Sequence, residues 1–322
     1  MCEGFSLQRI QANGIGVRAA VEGEGPLVIM VHGWPELWYS WRHQIRPFAA
    51  AGFRVVVPDV RGYGGSDRPY DIEAYDMAAL MADVIGLIDA FGEEKAILMG
   101  HDWGSPIVCN TAALYPERVA AVAALSVPYR KRGEVSHIGI WRKVYAGRFF
   151  YQVYFQDVGI AEAELEADTR TSLRKIYYTA SGDSPHADGW VNRPAEPTFL
   201  DGLDDPQPFP AWLTEADLDY FTSNFEASGF RGPINRYRNQ DRDFADLPTM
   251  GTAPITVPSC FIGGSKDIVR SFVPGIDPYE DVSSNCTDFR GKTIIDGIGH
   301  WVQQEAPAEV NAALLAFLAS VR

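Results

Sequence analysis

Short runs of consecutive apolar residues alternate with helical patterns along the first 128 residues, and this alternation limits the fold more than any other feature. Strands that are buried on both faces of a parallel sheet have this unbroken apolar character. The apolar runs cover residues 26–33, 53–59, 95–102 and 119–128. The helical patterns between them cover residues 40–51, 75–91 and 103–114, and Gly52 and Gly92 are placed to end the first two.

The same alternation returns later in the chain. Apolar runs at 259–264 and 292–296 precede an amphipathic pattern that begins near Pro307, a residue favoured in the first turn of a helix. Strands that alternate with helices in this way are typical of a doubly wound sheet. The sequence therefore predicts an α/β fold with a mostly parallel central sheet and helices on both faces.

The middle of the chain interrupts this pattern. Residues 129–245 contain 20 of the 39 aromatic residues, and their helical stretches at 159–180 and 214–229 flank a loop-like segment, 181–211, with six prolines. Thr214 and Asp217 have the spacing of a capping box. We expect an inserted helical cap at 129–245 on a core formed by 1–128 and 246–322. Most of the aromatic side chains pack the cap onto the sheet, and a few are expected to line a pocket.

The charge balance limits the partners. Lys and Arg number 28 and Asp and Glu number 42, so the formal net charge is −14. A surface this acidic repels nucleic-acid phosphates and anionic lipids, so we expect neither a nucleic-acid nor a membrane partner. No signal peptide or membrane-spanning run is predicted, and the four scattered cysteines indicate neither disulfides nor a metal site. A cytoplasmic location is expected, and the oligomeric state is left open, a homodimer included.

The five residues Gly100-His101-Asp102-Trp103-Gly104 directly follow a predicted strand and directly precede a predicted helix. Small residues on both sides of a central residue permit the sharp turn of a nucleophile elbow. The central residue is Asp102, whose carboxylate is already an anion at neutral pH and needs no base to attack. Its natural reaction is displacement at an electrophilic sp³ carbon, which produces an ester of Asp102.

An early loop is predicted to complete an oxyanion hole. The segment His32-Gly33-Trp34-Pro35 ends the first buried run, where related architectures supply a second backbone donor. We assign the donors to the backbone N–H groups of Trp34 and Trp103, and the bond before Pro35 is a candidate for the cis form. An ordinary turn after a strand is the alternative interpretation.

Hydrolysis of the ester requires a general base. His300 lies between the last predicted strand and the last helix, and the chain order nucleophile, acid, base favours it. Asp267 follows the preceding strand and is the predicted partner that orients the imidazole, with Asp296 and Glu134 as competitors. His32 and His101 are expected to be hydrogen-bonding scaffold beside the site.

These motifs together resemble the soluble-type epoxide hydrolases of the α/β-hydrolase fold, nearly from end to end. The stretches that carry the resemblance lie at 32–45, 59–67, 100–104, 151–165, 228–239 and 299–307. The resemblance implies an α/β-hydrolase fold with a cap, no cofactor or metal, and a small-molecule epoxide as substrate. Because the surface is acidic and the cap is rich in aromatic residues, we expect the substrate to be an uncharged, apolar or aryl epoxide. The expected product is a vicinal diol.

The resemblance also implies roles for cap residues. Tyr151 and Tyr237 match the two tyrosines that hold and protonate the epoxide oxygen, and phenol donors can stabilise a basic alkoxide without a metal. Pro35, Trp103 and Phe155 are the implied substrate-contacting residues. The sequence departs from the family pattern at one point, because Arg236 stands where the family usually has Trp.

Three other functions are weighed against this one. A haloalkane dehalogenase shares the elbow and could use the Trp103 indole to hold a leaving halide, but it does not need the two tyrosines. An esterase or lactonase would have Ser at position 102. A ligand-binding protein without catalysis would usually have lost Asp102, Asp267 or His300, and all three are present.

Overall fold

The computed structural model describes residues 4–185, 190–191, 193–194 and 198–321. Eight strands form one sheet in the order β1-β2-β4-β3-β5-β6-β7-β8. The strands are β1 Leu7–Ala12, β2 Ile15–Glu22, β3 Leu27–Val31, β4 Arg54–Pro58, β5 Ala96–His101, β6 Val119–Leu125, β7 Ser259–Gly264 and β8 Phe289–Ile295. Strands β3 to β8 run parallel, and β1 and β2 are antiparallel additions at one edge.

The helices include every long helix that the sequence predicts. Those of the two core segments are α1 Arg42–Ala50, α2 Met77–Ala90, α3 Gly104–Leu114, α11 Val302–Glu305 and α12 Pro307–Ala319. Those between β6 and β7 are α4 His137–Val144, α5 Tyr151–Tyr154, α6 Ile160–Ala167, α7 Thr169–Thr179, α8 Glu215–Ser228, α9 Arg231–Arg238 and α10 Gln240–Asp246.

The alternation of side chains along the strands places helices on both faces of the sheet. In β3, Ile29 packs into a cluster that also contains residues of α2 and α3. Its neighbour Met30 points to the opposite face and packs with residues of α1 and α12. Successive side chains of a strand point to opposite faces, so two apolar cores form from one unbroken apolar run. The predicted fold class is confirmed.

The helices α4 to α9 share a third buried cluster, rich in aromatic residues, which also contains Trp34 from the loop after β3. The predicted helical stretch at 159–180 is divided, because Asp168 ends α6 and its carboxylate accepts a bond from the Thr171 N–H at 3.0 Å to begin α7. The capping box of Thr214 and Asp217 forms as expected. Part of the proline-rich segment 181–211 lies outside the described residues.

The described part of the chain has no helix that is both long and apolar enough to cross a bilayer. The three described cysteines are free thiols, and Cys109 and Cys260 are buried among apolar side chains as the sequence indicates.

Candidate active site

The turn between β5 and α3 lifts Asp102 out of the sheet. Asp102 has a φ of +49°, a left-handed backbone that non-glycine residues seldom adopt. A side chain on Gly104 would meet the carbonyl oxygen of Val31 at 2.0 Å, and one on Gly33 would meet the Asp102 carboxylate at 2.3 Å. These glycines are therefore required, since the helix, the turn and the loop after β3 touch backbone to backbone.

Asp102, His300 and Asp267 come together at the carboxyl ends of β5 and β7. The Nε2 atom of His300 lies 3.4 Å from Oδ2 of Asp102, and its Nδ1 lies 3.0 Å from Oδ1 of Asp267. Asp267 in turn accepts bonds from the Val269 N–H at 2.9 Å and the Tyr279 hydroxyl at 2.6 Å. The histidine is thus held between two carboxylates, with its Nδ1 side fixed and its Nε2 side toward Asp102.

The charges of this cluster shift its pKa values. Burial by itself lowers the pKa of His300, but the negative charges of Asp267 and Asp102 outweigh it and raise that pKa well above the usual range. Burial raises the pKa of Asp267, and the opposing effects of His300 and the Tyr279 hydroxyl leave it below its usual value. Asp267 therefore remains ionised and stabilises an imidazolium.

The carboxylate of Asp102 contacts one of the two backbone donors that were predicted to form an oxyanion hole. Its Oδ1 accepts a hydrogen bond from the Trp34 N–H at 2.7 Å, and the Trp34–Pro35 peptide bond is cis. Trp103 is the residue before the first turn of α3, where backbone N–H groups are free to face an anion. Oδ1 is thus held by Trp34, and Oδ2 is the oxygen nearer to His300.

His32 and His101 form the scaffold around this loop. His32 accepts from the Val60 N–H at 2.9 Å, and burial lowers its pKa, so it stays neutral. His101 lies 2.7 Å from Oε2 of Glu36 and 2.7 Å from the carbonyl oxygen of His300. A buried chain of polar contacts therefore joins the loop after β3 to the histidine loop.

Tyr151 and Tyr237 face the same site from α5 and α9. Their ring centroids are 5.8 Å apart, and each ring contacts Trp34, at 6.4 Å and 5.8 Å. Burial, followed by nearby groups that include the Asp102 charge, raises the pKa of both phenols well above 10. Both phenols therefore remain protonated at neutral pH.

The site opens into a cavity of about 460 Å³ between the loops at the carboxyl ends of the strands and the helices α4, α5, α9 and α10. Its wall includes Asp102, His300, the two tyrosines, and the indoles of Trp34 and Trp103. Two of the residues that were predicted to contact the substrate, Phe155 and Pro35, do not line this cavity. Phe155 is fully buried behind Trp34 and Tyr237, and Pro35 is buried, with its carbonyl accepting from the Tyr177 hydroxyl at 2.9 Å.

Arg236 is buried beside the second tyrosine. Its guanidinium carbon lies 4.9 Å from the centroid of the Trp103 ring, so the planar cation stacks where the family usually has an aromatic residue. It forms an ion pair with Asp243 and donates to the Tyr75 carbonyl oxygen at 2.7 Å. The substitution thus keeps a flat group against Trp103, the residue that follows Asp102.

Two contributors to the site were not predicted from the sequence. Glu36 accepts from the Gly33 N–H at 2.8 Å and contacts His101, and Tyr279 donates to Asp267. Glu36 directly follows the His32–Pro35 motif, and this position could have predicted that it belongs to the site. Tyr279 had none, because only the folded chain brings it to Asp267. The competitors Asp296 and Glu134 are exposed, and Asp296 accepts from the Ser265 hydroxyl instead.

Within the described ranges, no three potential metal ligands of the His, Cys, Asp and Glu type gather as a cation site. The site brings together a carboxylate at a sharp turn, a histidine held by a second carboxylate, and two phenols, an arrangement that suits hydrolysis through a nucleophilic Asp.

Comparison with known proteins agrees with this geometry. Residues 26–196 match the family of the alpha/beta hydrolase fold. Epoxide hydrolase A of Mycobacterium tuberculosis is 44% identical over 313 residues, which cover 96% of each chain. The crystal structure of epoxide hydrolase A from Mycobacterium thermoresistibile superposes with a TM-score of 0.92 at 42% identity, over 98% of both chains. An epoxide hydrolase from an endophytic Streptomyces gives a TM-score of 0.93 at 42% identity, over 99% of this chain and 97% of that one.

The chain belongs to the α/β-hydrolase fold family and, within it, to the epoxide hydrolases. It is an enzyme and a hydrolase, as the resemblance of its motifs indicates.

Proposed function

We propose that the chain opens an uncharged, apolar or aryl epoxide in two steps and releases a vicinal diol. The observation that carries this proposal is the placement of Asp102 between a base and two acids. His300 lies 3.4 Å from one carboxylate oxygen, and the two cap phenols face the same cavity. The residues 129–245 act in this proposal as a cap that supplies the phenols to a core of 1–128 and 246–322.

In the first step, Oδ2 of Asp102 attacks one ring carbon of the epoxide. The carbon–oxygen bond of the ring breaks, and the oxygen that departs takes a proton from Tyr151 or Tyr237. A phenol must be neutral to donate this proton, and the raised pKa of both tyrosines keeps them protonated in the resting site. The product of this step is a hydroxyalkyl ester of Asp102.

In the second step, His300 takes a proton from water, and the oxygen of that water attacks the ester carbonyl carbon. The oxyanion is held by the backbone N–H groups of Trp34 and Trp103. The ester bond to the substrate oxygen then breaks, and that oxygen receives the proton from His300. The second proton of the water returns to the tyrosinate, so the enzyme is restored and one water is consumed.

Formation of the ester also prepares the base. The Asp102 charge is one of the causes that raise the pKa of His300, and this charge disappears when the carboxylate becomes an ester. The pKa of His300 therefore falls after the first step, and an imidazolium gives its proton to bulk water, so that a neutral imidazole is present when water must be activated. A proton is regained from bulk water when the Asp102 carboxylate is restored.

The first experiment compares styrene oxide with a bromoalkane. We expect diol from the epoxide and no bromide release, whereas bromide without diol would favour the dehalogenase mechanism. A single turnover of the epoxide in ¹⁸O-labelled water should place the label in Asp102 and leave the diol unlabelled. Label that appears first in the diol would mean direct attack by water and would exclude the ester.

Two variants test the division of roles. Asp102→Ala should abolish turnover, and His300→Gln should still form the ester but fail to hydrolyse it. Intact mass spectrometry of His300→Gln after exposure to styrene oxide should show one added substrate mass. An inactive, unmodified protein would contradict the two-step scheme.

A further inference from the structure

The loop that carries His300 is held by a carboxylate that the two-step mechanism does not use. Glu305, the last residue of α11, accepts from the Gly299 N–H at 3.0 Å and the Trp301 N–H at 2.9 Å. These two donors are the neighbours of His300 on either side. One side chain therefore fixes the backbone before and after the histidine that must aim at both Asp102 and water.

The same carboxylate reaches the cap segment. Its Oε2 also accepts from the N–H of Gly182 at 2.8 Å, and the N–H of His300 donates to the carbonyl oxygen of Ala180 at 2.8 Å. Lys266, which directly precedes Asp267, donates from Nζ to the carbonyl oxygen of Gly182 at 2.8 Å. Three separate parts of the chain thus meet at residues 180–182.

The contact between the two loops leaves no room for a side chain. A Cβ on Gly182 would lie 2.2 Å from the carbonyl oxygen of Gly297, and a Cβ on Gly299 would lie 2.3 Å from the Gly182 nitrogen. The two backbones therefore touch directly, and Glu305 accepts N–H groups from both. A shift of the cap segment would move Gly182, and through the shared carboxylate it would move the backbone beside His300.

We propose that Glu305 is a positioning residue that couples the cap to the histidine loop and sets His300 for attack on the ester. This inference rests on the proposed two-step function. Glu305 does not itself line the cavity, and it contacts the wall only through the backbone N–H of Trp301, so it acts through the loop. The hydrolysis step depends on it more than the alkylation step, because ring opening needs Asp102 and the phenols, whereas hydrolysis needs the imidazole in place.

The test compares Glu305→Gln, Glu305→Asp and Glu309→Gln by rapid quench with styrene oxide and intact mass spectrometry. Glu305→Gln exchanges one acceptor oxygen for an N–H₂ group and so loses at least one of the three bonds. We expect its hydrolysis step to slow on the order of 10-fold while alkylation changes less than about 3-fold, so that the ester accumulates. Glu305→Asp keeps both oxygens and should recover part of the loss.

Glu309→Gln is the matched control, since Glu309 is an exposed carboxylate four residues later, in the first turn of α12, and it should behave as the unaltered chain. Equal slowing of both steps in Glu305→Gln, or no slowing of either, would overturn the inference. His300→Gln is run beside these variants. If that variant forms no ester, the two-step function fails; if it does, a normal Glu305→Gln contradicts only the role of Glu305.

A second variant tests the same contact without altering Glu305, so that misfolding of α11 cannot explain its result. Gly182→Ala should press the cap segment away from the Gly297 carbonyl oxygen and reproduce the selective loss of hydrolysis. A Gly182→Ala protein that folds and hydrolyses the ester at the original rate would show that the cap does not influence His300 through this contact.

Discussion

At the scale of single residues, the site depends on the coupling between His300 and two carboxylates. Asp267 and Asp102 both raise the pKa of the imidazole, and Asp267 contributes more. We expect His300 to titrate at lower pH in Asp102→Asn than in the unaltered protein, and at a still lower pH in Asp267→Asn. NMR titration of the histidine Cε1 protons measures this directly. An unchanged pKa in Asp102→Asn would contradict the release of the base by ester formation.

The two phenols provide the second prediction. Positioned general acids contribute on the order of 10²–10⁴-fold to a rate, and Tyr151 and Tyr237 share one oxygen. We therefore expect each Tyr→Phe variant to slow ring opening on the order of 10²-fold, and the double variant to be nearly inactive. Rapid-quench measurement of ester formation checks this.

A cap phenol near the site but outside the cavity wall supplies the control. Tyr154 lies on the same short helix as Tyr151, and its hydroxyl donates to Glu164 at 2.8 Å. Tyr154→Phe should leave ring opening within about 3-fold of the original rate, because no donor to the epoxide is removed. A double Tyr151 and Tyr237 variant with full activity would remove the proposed acid.

Glu305 gives a prediction on stability and pH. Burial raises its pKa from 4.5 to about 7, although three backbone N–H groups oppose the shift. The folded state holds this proton more tightly than the unfolded state, so the free energy of unfolding falls as pH rises from about 4.5 to 7 and levels off above that range. The charged groups nearby are Lys266, Asp267 and His300, whose contributions remain in a Glu305 variant.

Denaturant unfolding of the unaltered protein and of Glu305→Gln at several pH values isolates this contribution. Between pH 5 and 7, the free energy of unfolding of the unaltered protein should fall relative to that of Glu305→Gln, by on the order of 2 kcal/mol. The exposed carboxylate of Glu309 should show no such dependence when it is changed to Gln. A difference that is flat with pH would mean that Glu305 keeps an ordinary pKa.

At the scale of the elements, the elbow demands glycine at position 104. A Cβ there would lie 2.0 Å from the Val31 carbonyl oxygen, which belongs to a buried strand that cannot move away. Gly104→Ala should therefore lower the melting temperature and abolish activity together. Gly133→Ala is the control, because the nearest atom to its Cβ would be 3.7 Å away. Thermal unfolding and turnover of both variants test the comparison.

Most buried elements could be predicted because their burial leaves a pattern in the sequence. The parallel strands β3 to β7 have apolar runs whose bounds agree with the predicted ones within a few residues, whereas the exposed edge strand β8 begins three residues before the predicted run. The hairpin of β1 and β2 was missed, although Asn13-Gly14 between the strands, both with positive φ, is a strong signal for a two-residue turn. The break at Asp168 was missed because the helical periodicity continues across it.

At the scale of the whole molecule, the site residues on the core were predictable, since Asp102, Asp267 and His300 follow strands whose carboxyl ends meet at one edge. The cap residues depend on a resemblance of motifs, because no periodicity says which of 20 aromatic residues face the cavity. Contacts such as that of Tyr279 with Asp267 join residues on separate turns, and packing alone decides them. Packing alone likewise decides that Phe155 and Pro35 are buried behind the cavity wall and do not line it.

The attachment of the cap to the core carries the last prediction. Asp243 on α10 forms an ion pair with Arg236 on α9 and accepts from the Met77 N–H of the core at 2.8 Å. Arg236 donates to the Tyr75 carbonyl oxygen, so this buried pair bridges both parts. Removal of one partner from a buried pair leaves an uncompensated charge, and Asp243→Asn should cost about 3–5 kcal/mol of unfolding free energy.

A second substitution separates the charge from the packing. Arg236→Met in the Asp243→Asn background removes the unpaired cation while a flexible apolar chain keeps contact with Trp103, so part of the lost stability should return. The exposed ion pair of Asp89 with Arg118 is the control, and Asp89→Asn should cost less than about 1 kcal/mol. Equal losses of unfolding free energy in Asp243→Asn and Asp89→Asn would mean that the buried ion pair does not hold the cap.

Because this ion pair joins the cap to the core, the two parts should unfold together. Tryptophan fluorescence and far-UV circular dichroism should therefore report a single, coincident unfolding transition.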